Sequence, residues 1–231
     1  MATATTTAMT AKSSNDSIDR QESRDRLLLA ALPHITFDGW TDKAFQAGIA
    51  DCGMAASDFR RFFPGGACDA IDHFSGWADR RMVATLADHA IDELSVRNRV
   101  ALAVRLRLEA LAPYREGVRR ALGLLALPPN LALGARCLYR TVDSLWHAIG
   151  DRSADFNFYT KRALLAAVLS TTTLYWLDDT TDNCEGSWAF LDRRVADVMK
   201  IPKLTQRLSR AAARLPDPLR ILRAVRDRRP A

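Results

Sequence analysis

The chain has 231 residues and a net charge of +6, but residues 203–231 carry nine cations against two anions and the rest has a net charge of −1. Apolar residues make up 48% and charged residues 26%, which is ordinary for a globular protein, and the length suits one domain with appendages. Eleven Gly and nine Pro among much Ala, Leu and Arg argue against a β-sandwich or barrel and favour helices.

The N-terminal part of the chain divides into a polar lead and a first folded unit. Residues 1–22 are rich in Ser and Thr and lack the apolar stretch of a secretory signal, so we expect them to be disordered. Residues 23–66 predict a unit that resembles a helix-turn-helix. Its expected elements are a helix over about 23–33 that ends at Pro33, a helix through Ile49 capped by Thr41 or Asp42, a turn at Gly53, and a short helix from Ser57 or Asp58 to the stop at Phe62-Phe63-Pro64-Gly65-Gly66.

Helical periodicity continues through the body, residues 67–200, and no useful stretch alternates apolar and polar residues as a strand does. The fold class predicted from these elements is all-α: a helical bundle with a helix-turn-helix-like N-terminal unit and a C-terminal amphipathic tail helix. The helices expected in the body cover about 67–94, 97–111, 114–126, 131–150, 156–177 and 185–199.

One helix is apolar on nearly every side. Its segment Ala163–Leu177 has only Ser170 and Thr171–Thr173 as polar residues, and at fifteen residues it is too short to cross a bilayer. It is either a central core helix or the wall of an apolar cavity, and the sequence leaves both open. If a lipid cavity exists, the wall residues we expect are Trp146, Leu165, Leu169, Tyr175 and Trp176.

The basic tail, residues 203–231, combines charge with apolar stripes. Leu204, Leu208 and Leu215 recur at helical spacing, and Leu219 and Leu222 continue the pattern after Pro216 and Pro218. An Arg-rich helix with an apolar stripe suits an anionic membrane surface. We therefore predict membrane contact through these leucines with Arg207 and Arg214; a helix packed on the body, or a disordered tail, is the alternative.

The sequence offers no convincing catalytic or metal site. The sequence has four cysteines, Cys52, Cys68, Cys137 and Cys184. They form no CxxC pair, and we expect them to be reduced thiols. Asp178-Asp179-Thr180-Thr181-Asp182 matches the DDxxD pattern with which prenyl synthases hold magnesium, but no second Asp-rich motif faces it. We expect a solvated turn and helix cap there, with the synthase as an alternative, and we predict no enzyme activity, metal or cofactor.

Two resemblances follow from the order of motifs. The string from Thr41 to Gly66, TDKAFQAGIADCGMAASDFRRFFPGG, resembles the DNA-binding end of TetR-type repressors, which implies a TetR-like helical bundle. Residues 1–66 nevertheless carry seven cations and eight anions, a poor balance for displacing counterions from DNA. DNA-binding regulation is therefore the alternative function, and we expect no nucleic-acid partner.

The second resemblance covers about 25–200. DFNFYTKRALLAAVLSTTTLYWLDD and SWAFLDRRVADVMK resemble the lipid-binding accessory proteins of coenzyme Q biosynthesis, the family of the mitochondrial COQ nine protein. This resemblance implies a TetR-like fold without DNA binding and a cavity for an isoprenoid lipid or quinone intermediate. It also implies membrane contact through the tail and association with the di-iron demethoxyubiquinone hydroxylase.

Carried over residue by residue, the resemblance places the hydroxylase contact at Asp155, Phe158, Tyr159 and Arg162, with Phe158 where relatives often have Trp. The structural alternatives are a cap of the following helix by Asp155 and an ion pair of Arg162 within that helix. The resemblance leaves open whether the chain forms a homodimer and which lipid it binds. The 28 Arg against five Lys, and the N-terminus, lead us to expect a bacterial cytoplasmic protein peripheral on the inner membrane.

Overall fold

A computed structural model describes residues 2–150 and 158–200, and the side chains within 18–150 and 160–200. Over these ranges the chain forms helices, short 3₁₀ turns and loops and no strand, which confirms the all-α class. The helices are α1 (Ala2–Asp38), α2 (Asp42–Cys52), α3 (Asp58–Phe62), α4 (Ala67–Ala87), α5 (Val96–Leu111), α6 (Arg115–Leu125), α7 (Leu131–Ala148), α8 (Phe158–Asp178) and α9 (Glu185–Val198).

Helix α1 is longer than the sequence predicts. It begins at Ala2, within the segment expected to be disordered, and it continues through Pro33 to Asp38. Proline removes a backbone hydrogen bond inside a helix. Leu28, Leu32 and Ile35 on either side of it are nevertheless fully or almost fully buried, so packing of this apolar stripe outweighs the loss.

Helices α2 and α3 follow their sequence signals. The Thr41 hydroxyl accepts a hydrogen bond from the Ala44 N–H, and Gly53 ends α2 with a φ of 66°, in the left-handed region that glycine adopts without strain. Gly48 lies where α2 crosses α1, because a Cβ there would come within 2.7 Å of the Ala31 backbone. These features confirm the predicted helix, turn and short third helix.

Aromatic side chains fill the centre of the unit formed by residues 23–66. Phe45 stacks on Phe59 with 4.3 Å between ring centroids, and Phe63 packs against both. Trp40 joins this cluster to the body, since its indole N–H donates to the Gly117 carbonyl of α6 over 3.0 Å. The unit is therefore fixed against the body by both packing and a buried hydrogen bond.

An ion-paired cluster joins α1 to α4. Asp25 accepts from the His73 Nε2 at 2.6 Å and from the Arg80 guanidinium at 2.7 and 3.0 Å. Burial, with Arg24 and Arg80 nearby, lowers the pKa of His73 to about 4 and outweighs the attraction of Asp25. His73 is therefore neutral at pH 7 and donates its N–H to Asp25.

Helix α4 ends earlier than the sequence predicts. The expected helix over 67–94 stops at Ala87, a 3₁₀ turn follows over Ile91–Glu93, and Leu94 is extended. Ser95 begins α5 by accepting a hydrogen bond from the Asn98 N–H. Serine is a typical residue for the start of a helix, so the sequence contains this signal. Because α5 starts after Ser95, Leu94 belongs to the connection between α4 and α5 and not to α4.

The body is a bundle in which α4 packs against α5 and α7, α7 against α8, and α9 against both α5 and α8. Further 3₁₀ turns at Ala112–Tyr114, Pro128–Asn130 and Asp182–Cys184 connect these helices. Helix α8 is therefore flanked by α7 and α9, but it is not enclosed on every side as its apolar composition predicts, because Leu174 is 58% exposed and Tyr175 is 42% exposed. The expected start of this helix at 156 lies outside the described residues.

Candidate ligand cavities

A cavity of about 380 Å³ lies between α4, α5, α6, α7 and α8; we call it the central cavity. Its volume falls in the range of about 300–1,000 Å³ that is usual for small-molecule pockets. Its walls are almost wholly apolar and come from every one of these helices. They are Ile71, Phe74, Ser75, Arg107, Leu111, Val118, Ala121, Leu122, Leu125, Ala126, Gly134, Cys137, Leu138, Thr141, Leu169, Ser170, Thr173 and Leu174.

The spacing of apolar and small residues explains why the space exists. In α6, Val118, Ala121, Leu122 and Leu125 recur at helical spacing and form one inward face. Small side chains at Ala121, Gly134 and Ser170 leave room that leucines would fill. The central cavity is therefore suited to an apolar ligand.

A buried ion pair forms the polar part of this wall. The Arg107 Nε donates to Asp79 over 2.8 Å, and its Nη2 donates to the hydroxyls of Ser75 and Thr141 over 3.3 and 3.4 Å. Thr141 in turn donates to Asp79. This pair was not predicted from the sequence, although Arg107 lies on the same helix face as the buried Val100, Val104 and Leu111.

Cys137 is a further polar group on the cavity wall. Its thiol donates to Asp72 over 3.2 Å, and Asp72 also accepts from Arg140 over 2.8 Å. Burial and the bond to Asp72 raise the pKa of Cys137 to about 11. The thiol is therefore protonated at neutral pH and is a poor nucleophile.

A second cavity, of about 450 Å³, lies at the other end of α5, α7 and α8, beside α9; we call it the end cavity. Its residues come from the start of α5, the end of α7, the first half of α8 and the end of α9. They are Val96, Arg99, Val100, Trp146, Ile149, Gly150, Lys161, Leu164, Leu165, Val168, Val195, Val198 and Met199. Two segments that the structure does not describe adjoin this end of the bundle in sequence. They are 151–157, which follows Gly150, and 201–231, which follows Lys200.

The five residues expected to contact lipid divide among three environments. Trp146 and Leu165 line the end cavity, and Leu169 lines the central cavity. Trp176 lines neither cavity; it is fully buried beneath the Arg115 guanidinium, 4.7 Å from its ring. Tyr175 is 42% exposed and stacks on Phe190, so it too lies away from both cavities. These last two positions correct the expectation, because they fall on other faces of α8.

The residues expected to contact the hydroxylase lie at or before the start of α8. Asp155 is outside the described residues, and Phe158 and Tyr159 are in the first turn of α8 with side chains that the structure does not describe. The guanidinium of Arg162 donates to Asp143 of α7 over 2.6 and 3.1 Å, and its side chain is 16% exposed. Arg162 thus takes part in an ion pair between α8 and α7, and not in the pair within its own helix that the sequence offered as an alternative.

The proposed membrane-contact residues of the tail, Leu204, Leu208, Leu215, Leu219, Leu222, Arg207 and Arg214, lie outside the described residues. Among the residues that are described, no single helix has both the length and the apolar character to cross a membrane. By length and composition alone, 96–125 and 128–148 would meet that test together, but they are bent by 99°.

The aspartates at the end of α8 have structural partners. Asp179 accepts hydrogen bonds from the backbone and hydroxyl groups of Thr181 and Ser187, and Asp178 pairs with Arg119 over 2.8 Å. Burial would raise the pKa of Asp179, but these hydrogen bonds outweigh it and hold the pKa well below its usual range. Within 18–150 and 160–200, no three His, Cys, Asp or Glu side chains are grouped to hold a metal ion. The motif therefore forms the turn and cap at the start of α9, which disfavours the synthase alternative.

Three of the five cations in the helix-turn-helix-like unit are paired with neighbouring carboxylates. Arg60 bonds to Asp42, Lys43 lies 2.7 Å from Asp38, and Arg61 lies 3.7 Å from Asp58. An exposed cation that already faces a carboxylate contributes less to phosphate binding. This geometry gives no support to the alternative of DNA binding.

Comparison with known proteins adds the following relationships. The COQ9 family model matches residues 131–202. The chain is 34% identical over 188 residues to the human protein "Ubiquinone biosynthesis protein COQ9, mitochondrial" and 33% identical to its rat counterpart, covering 78% of this chain in both cases. The Drosophila melanogaster protein of the same name is 32% identical over 77% of this chain. The chain spans about 59% of the length of the human relative.

The fold is similar to that of a solved structure, the TetR transcriptional regulator from Nitrosomonas europaea ATCC 19718. The TM-score is 0.63 at 20% sequence identity, over 77% of this chain and 98% of the regulator. This confirms the TetR-like fold. The expected bacterial cytoplasmic location is wrong, because the similar curated proteins from human, rat, cow and fly are mitochondrial.

Proposed function

We propose, from the premise that this chain carries a COQ9 domain and is a homologue of ubiquinone biosynthesis proteins, that it is a non-catalytic accessory protein. It binds isoprenoid quinone intermediates at a membrane and presents them to the di-iron demethoxyubiquinone hydroxylase. The observation that carries this proposal is the central cavity, an apolar, partly open space of about 380 Å³ between the helices of a TetR-like bundle.

The physical need for such a protein is the cost of moving a polyprenyl lipid into water. Each methylene group that leaves apolar surroundings costs about 0.8 kcal/mol. A polyprenyl chain therefore stays in the bilayer unless another apolar surface receives it. The central cavity supplies that surface, since its walls expose few polar groups other than Arg107 and the hydroxyls beside it.

The cavity volume sets how much of the lipid is sheltered. A space of about 380 Å³ is at the small end of ligand pockets and receives a short stretch of a polyprenyl chain rather than all of it. The remainder stays in contact with the membrane. Binding of this partial kind suits presentation to an enzyme better than long-distance transport.

Membrane contact is assigned to the basic tail, residues 203–231, with its leucine stripes. Each Lys or Arg near an anionic leaflet contributes about 1 kcal/mol, so the tail binds reversibly and is released by salt. The tail follows α9 directly, and α9 ends beside the end cavity. This connection supports a membrane-facing role for that end of the bundle.

The hydroxylase contact is assigned to Asp155, Phe158, Tyr159 and Arg162. The ion pair of Arg162 with Asp143 holds the start of α8 against α7, which supports a fixed position for Arg162 within the proposed contact. Aromatic residues that flank a fixed Arg are typical of binding hot spots.

The test of lipid binding is to fill the central cavity. Ala121→Leu adds three carbon atoms to its wall, and we expect it to weaken binding of a short-chain ubiquinone analogue about tenfold, because it displaces about two ligand methylenes. Ala132→Leu, at an exposed position of α7, is the matched control and keeps the affinity of the parent chain. Calorimetry in mild detergent gives both affinities; equal affinities in the two variants would contradict the proposal.

The test of the hydroxylase contact compares variants on and behind the surface. Phe158→Ala with Tyr159→Ala removes contact area, and we expect at least tenfold less hydroxylase in a pull-down with purified enzyme. Asp143→Asn removes only the ion-pair partner of Arg162. We expect it to reduce the amount of hydroxylase in the pull-down by less than the Phe158–Tyr159 variant does. Retention of the enzyme by the Phe158–Tyr159 variant would reject this surface.

A further inference from the structure

A stretch without charge lies where α6 turns into α7; we call residues 121–135 the apolar turn. The stretch contains six leucines and no charged residue, and Asn130 is its one polar side chain. Ala126, Leu127 and Leu131 are exposed, the two leucines by 53% and 55%. A group of exposed apolar side chains in a folded protein marks a surface that binds lipid, protein or a ligand.

Local bonds hold the apolar turn in this exposed position. Two consecutive prolines follow Leu127 and restrict the backbone. The Asn130 side chain donates to the Leu124 carbonyl over 2.9 Å and accepts from the Cys68 thiol of α4 over 3.5 Å. The exposure of the leucines is therefore a fixed property of the fold.

The apolar turn borders the opening of the central cavity. Ala126 and Leu174 line this cavity and are also exposed, so the cavity reaches the surface beside them. Leu131 lies on the same face of α7 as the cavity residues Gly134 and Leu138, since the three are spaced by three and four positions. Whatever contacts the apolar turn therefore also meets the entrance to the central cavity.

Positive charge flanks the apolar turn on both sides. Residues 112–140 carry five Arg and one Glu, and aspartates of neighbouring helices offset part of this charge. Arg136, directly after the apolar turn, is 67% exposed and lies 3.9 Å from Asp72, which Arg140 already contacts at 2.8 Å. A second copy of this chain would bring the same positive segment against itself, whereas an anionic lipid surface complements it.

We infer that the apolar turn is a second membrane-contact surface, in which Leu127 and Leu131 enter the interfacial region of a bilayer and place the entrance of the central cavity against it. This inference rests on the proposed function, which brings the chain to a membrane, and it adds to the tail a contact on the folded body. A polyprenyl chain then passes from the bilayer into the cavity without crossing water.

The tail reaches the same membrane although it follows α9, which ends at the other end of the bundle. Extended at up to about 3.3 Å per residue, residues 203–231 span more than the length of α8, which rises about 1.5 Å per residue. The two contacts therefore act together on one bilayer.

The test measures binding of the full chain to vesicles of phosphatidylcholine and phosphatidylglycerol. Leu127→Asn with Leu131→Asn removes both exposed leucines, and Val83→Asn, at an exposed position about 22 Å from Cys68 along α4, is the control. We expect the double variant to bind at least tenfold more weakly than the parent chain, because two leucines lose their contact with lipid, and the control to stay within twofold. The difference persists at about 1 M salt, where a Debye length of about 3 Å suppresses the attraction of the tail.

Hydrogen exchange locates the contact. We expect the amides of residues 121–135 to exchange more slowly when vesicles are bound, and the amides around Val83 to show no change. Equal vesicle binding by the double variant and the parent chain overturns the inference. Unchanged exchange in residues 121–135 on bound vesicles overturns it too, because the tail alone then makes the contact.

Quinone affinity keeps this result separate from the proposed function. Leu127 and Leu131 are not in the wall of the central cavity, so the double variant is expected to bind a short-chain ubiquinone analogue in mild detergent within twofold of the parent chain. If the parent chain binds no analogue, the proposed function fails, while the vesicle comparison still decides whether the apolar turn contacts lipid. If the parent chain sediments as a dimer, and the double variant is a monomer with unchanged vesicle binding, a second copy occupies the apolar turn and the inference is wrong.

Discussion

The first folded unit, residues 23–66, and the body, residues 67–200, use aromatic and apolar residues in opposite ways. In the first unit Trp40, Phe45, Phe59 and Phe63 pack on one another, and no described residue before Ile71 lines either cavity. In the body, small residues such as Ala121, Gly134 and Gly150 border spaces of about 380 and 450 Å³.

This contrast distinguishes the first unit, which is filled by aromatic side chains, from the body, which contains the two candidate cavities. Protein interiors are normally packed to the density of organic crystals, and a void forfeits dispersion contacts on its walls. In the first unit the aromatic rings fill the centre, whereas the body leaves two partly open spaces along α5, α7 and α8. Under the proposed function, these spaces are where a bound lipid would supply the missing contacts.

The sharpest test of the contrast is Phe59→Ala. Phe59 is 1% exposed and stacks on Phe45, so its truncation is expected to lower the free energy of unfolding by about 3–5 kcal/mol in urea titration. Ligand affinity of the protein that remains folded stays within twofold. Phe37→Ala, at a residue that is 83% exposed, is the control and changes stability by less than about 0.5 kcal/mol. Lost ligand affinity in Phe59→Ala would show that the two regions are coupled.

The corresponding test in the body is Arg107→Met. It leaves Asp79 buried without its main partner, which lowers the free energy of unfolding by about 3 kcal/mol. Arg140, whose Nε lies 3.7 Å from Asp79, keeps the loss near the low end for a broken buried pair. Asp79→Leu in the same chain is expected to restore most of the stability, because it removes the uncompensated charge.

A double-mutant cycle over Arg107 and Asp79 measures this coupling by urea unfolding. Strictly additive losses in the double variant would mean that the two charges do not depend on each other. That result would contradict the conclusion that Arg107 and Asp79 stabilise each other as a buried ion pair in the wall of the central cavity.

Local signals in the sequence predict much of the fold and less of the site. Thr41, Gly53 and Phe62-Phe63-Pro64 define α2 and α3 because capping, a left-handed turn and a proline stop act over a few residues. The continuation of α1 through Pro33 and the end of α4 at Ala87 depend on burial or on a competing cap, so periodicity misplaces them.

Site residues show the same limit. Trp146, Leu165 and Leu169 line cavities, whereas Tyr175 and Trp176 do not, because which face of an all-apolar helix meets a cavity depends on its neighbours. Lipid binding at these residues stays a prediction. The sequence does show Arg107 as a charged residue on an otherwise apolar face of α5. Its partner Asp79 comes from another helix, and no spacing within one helix predicts that pairing.

The junction between the two regions supplies a pH test. The lowered pKa of His73, about 4 against 6.5, means that the unfolded chain binds more protons in this window. The free energy of unfolding therefore falls as the pH drops from about 6.5 to about 4, by about 2 kcal/mol after solvent screening is included. His73→Gln cannot titrate and keeps a donor to Asp25, so its stability changes less over the same window. Parallel pH profiles for the two chains would contradict this role.

The smallest expected effect lies within the first unit and compares its two helix starts. Thr41 accepts a hydrogen bond from the Ala44 N–H at the start of α2, whereas Ser57 at the start of α3 makes no side-chain cap bond. Thr41→Ala is expected to lower the free energy of unfolding by about 1 kcal/mol, and Ser57→Ala to change it by only a few tenths. Urea titration resolves the difference. Equal losses would show that α3 has a cap in solution, and a larger loss at Ser57 would mean that the first unit depends on α3 more than on the α1–α2 contact.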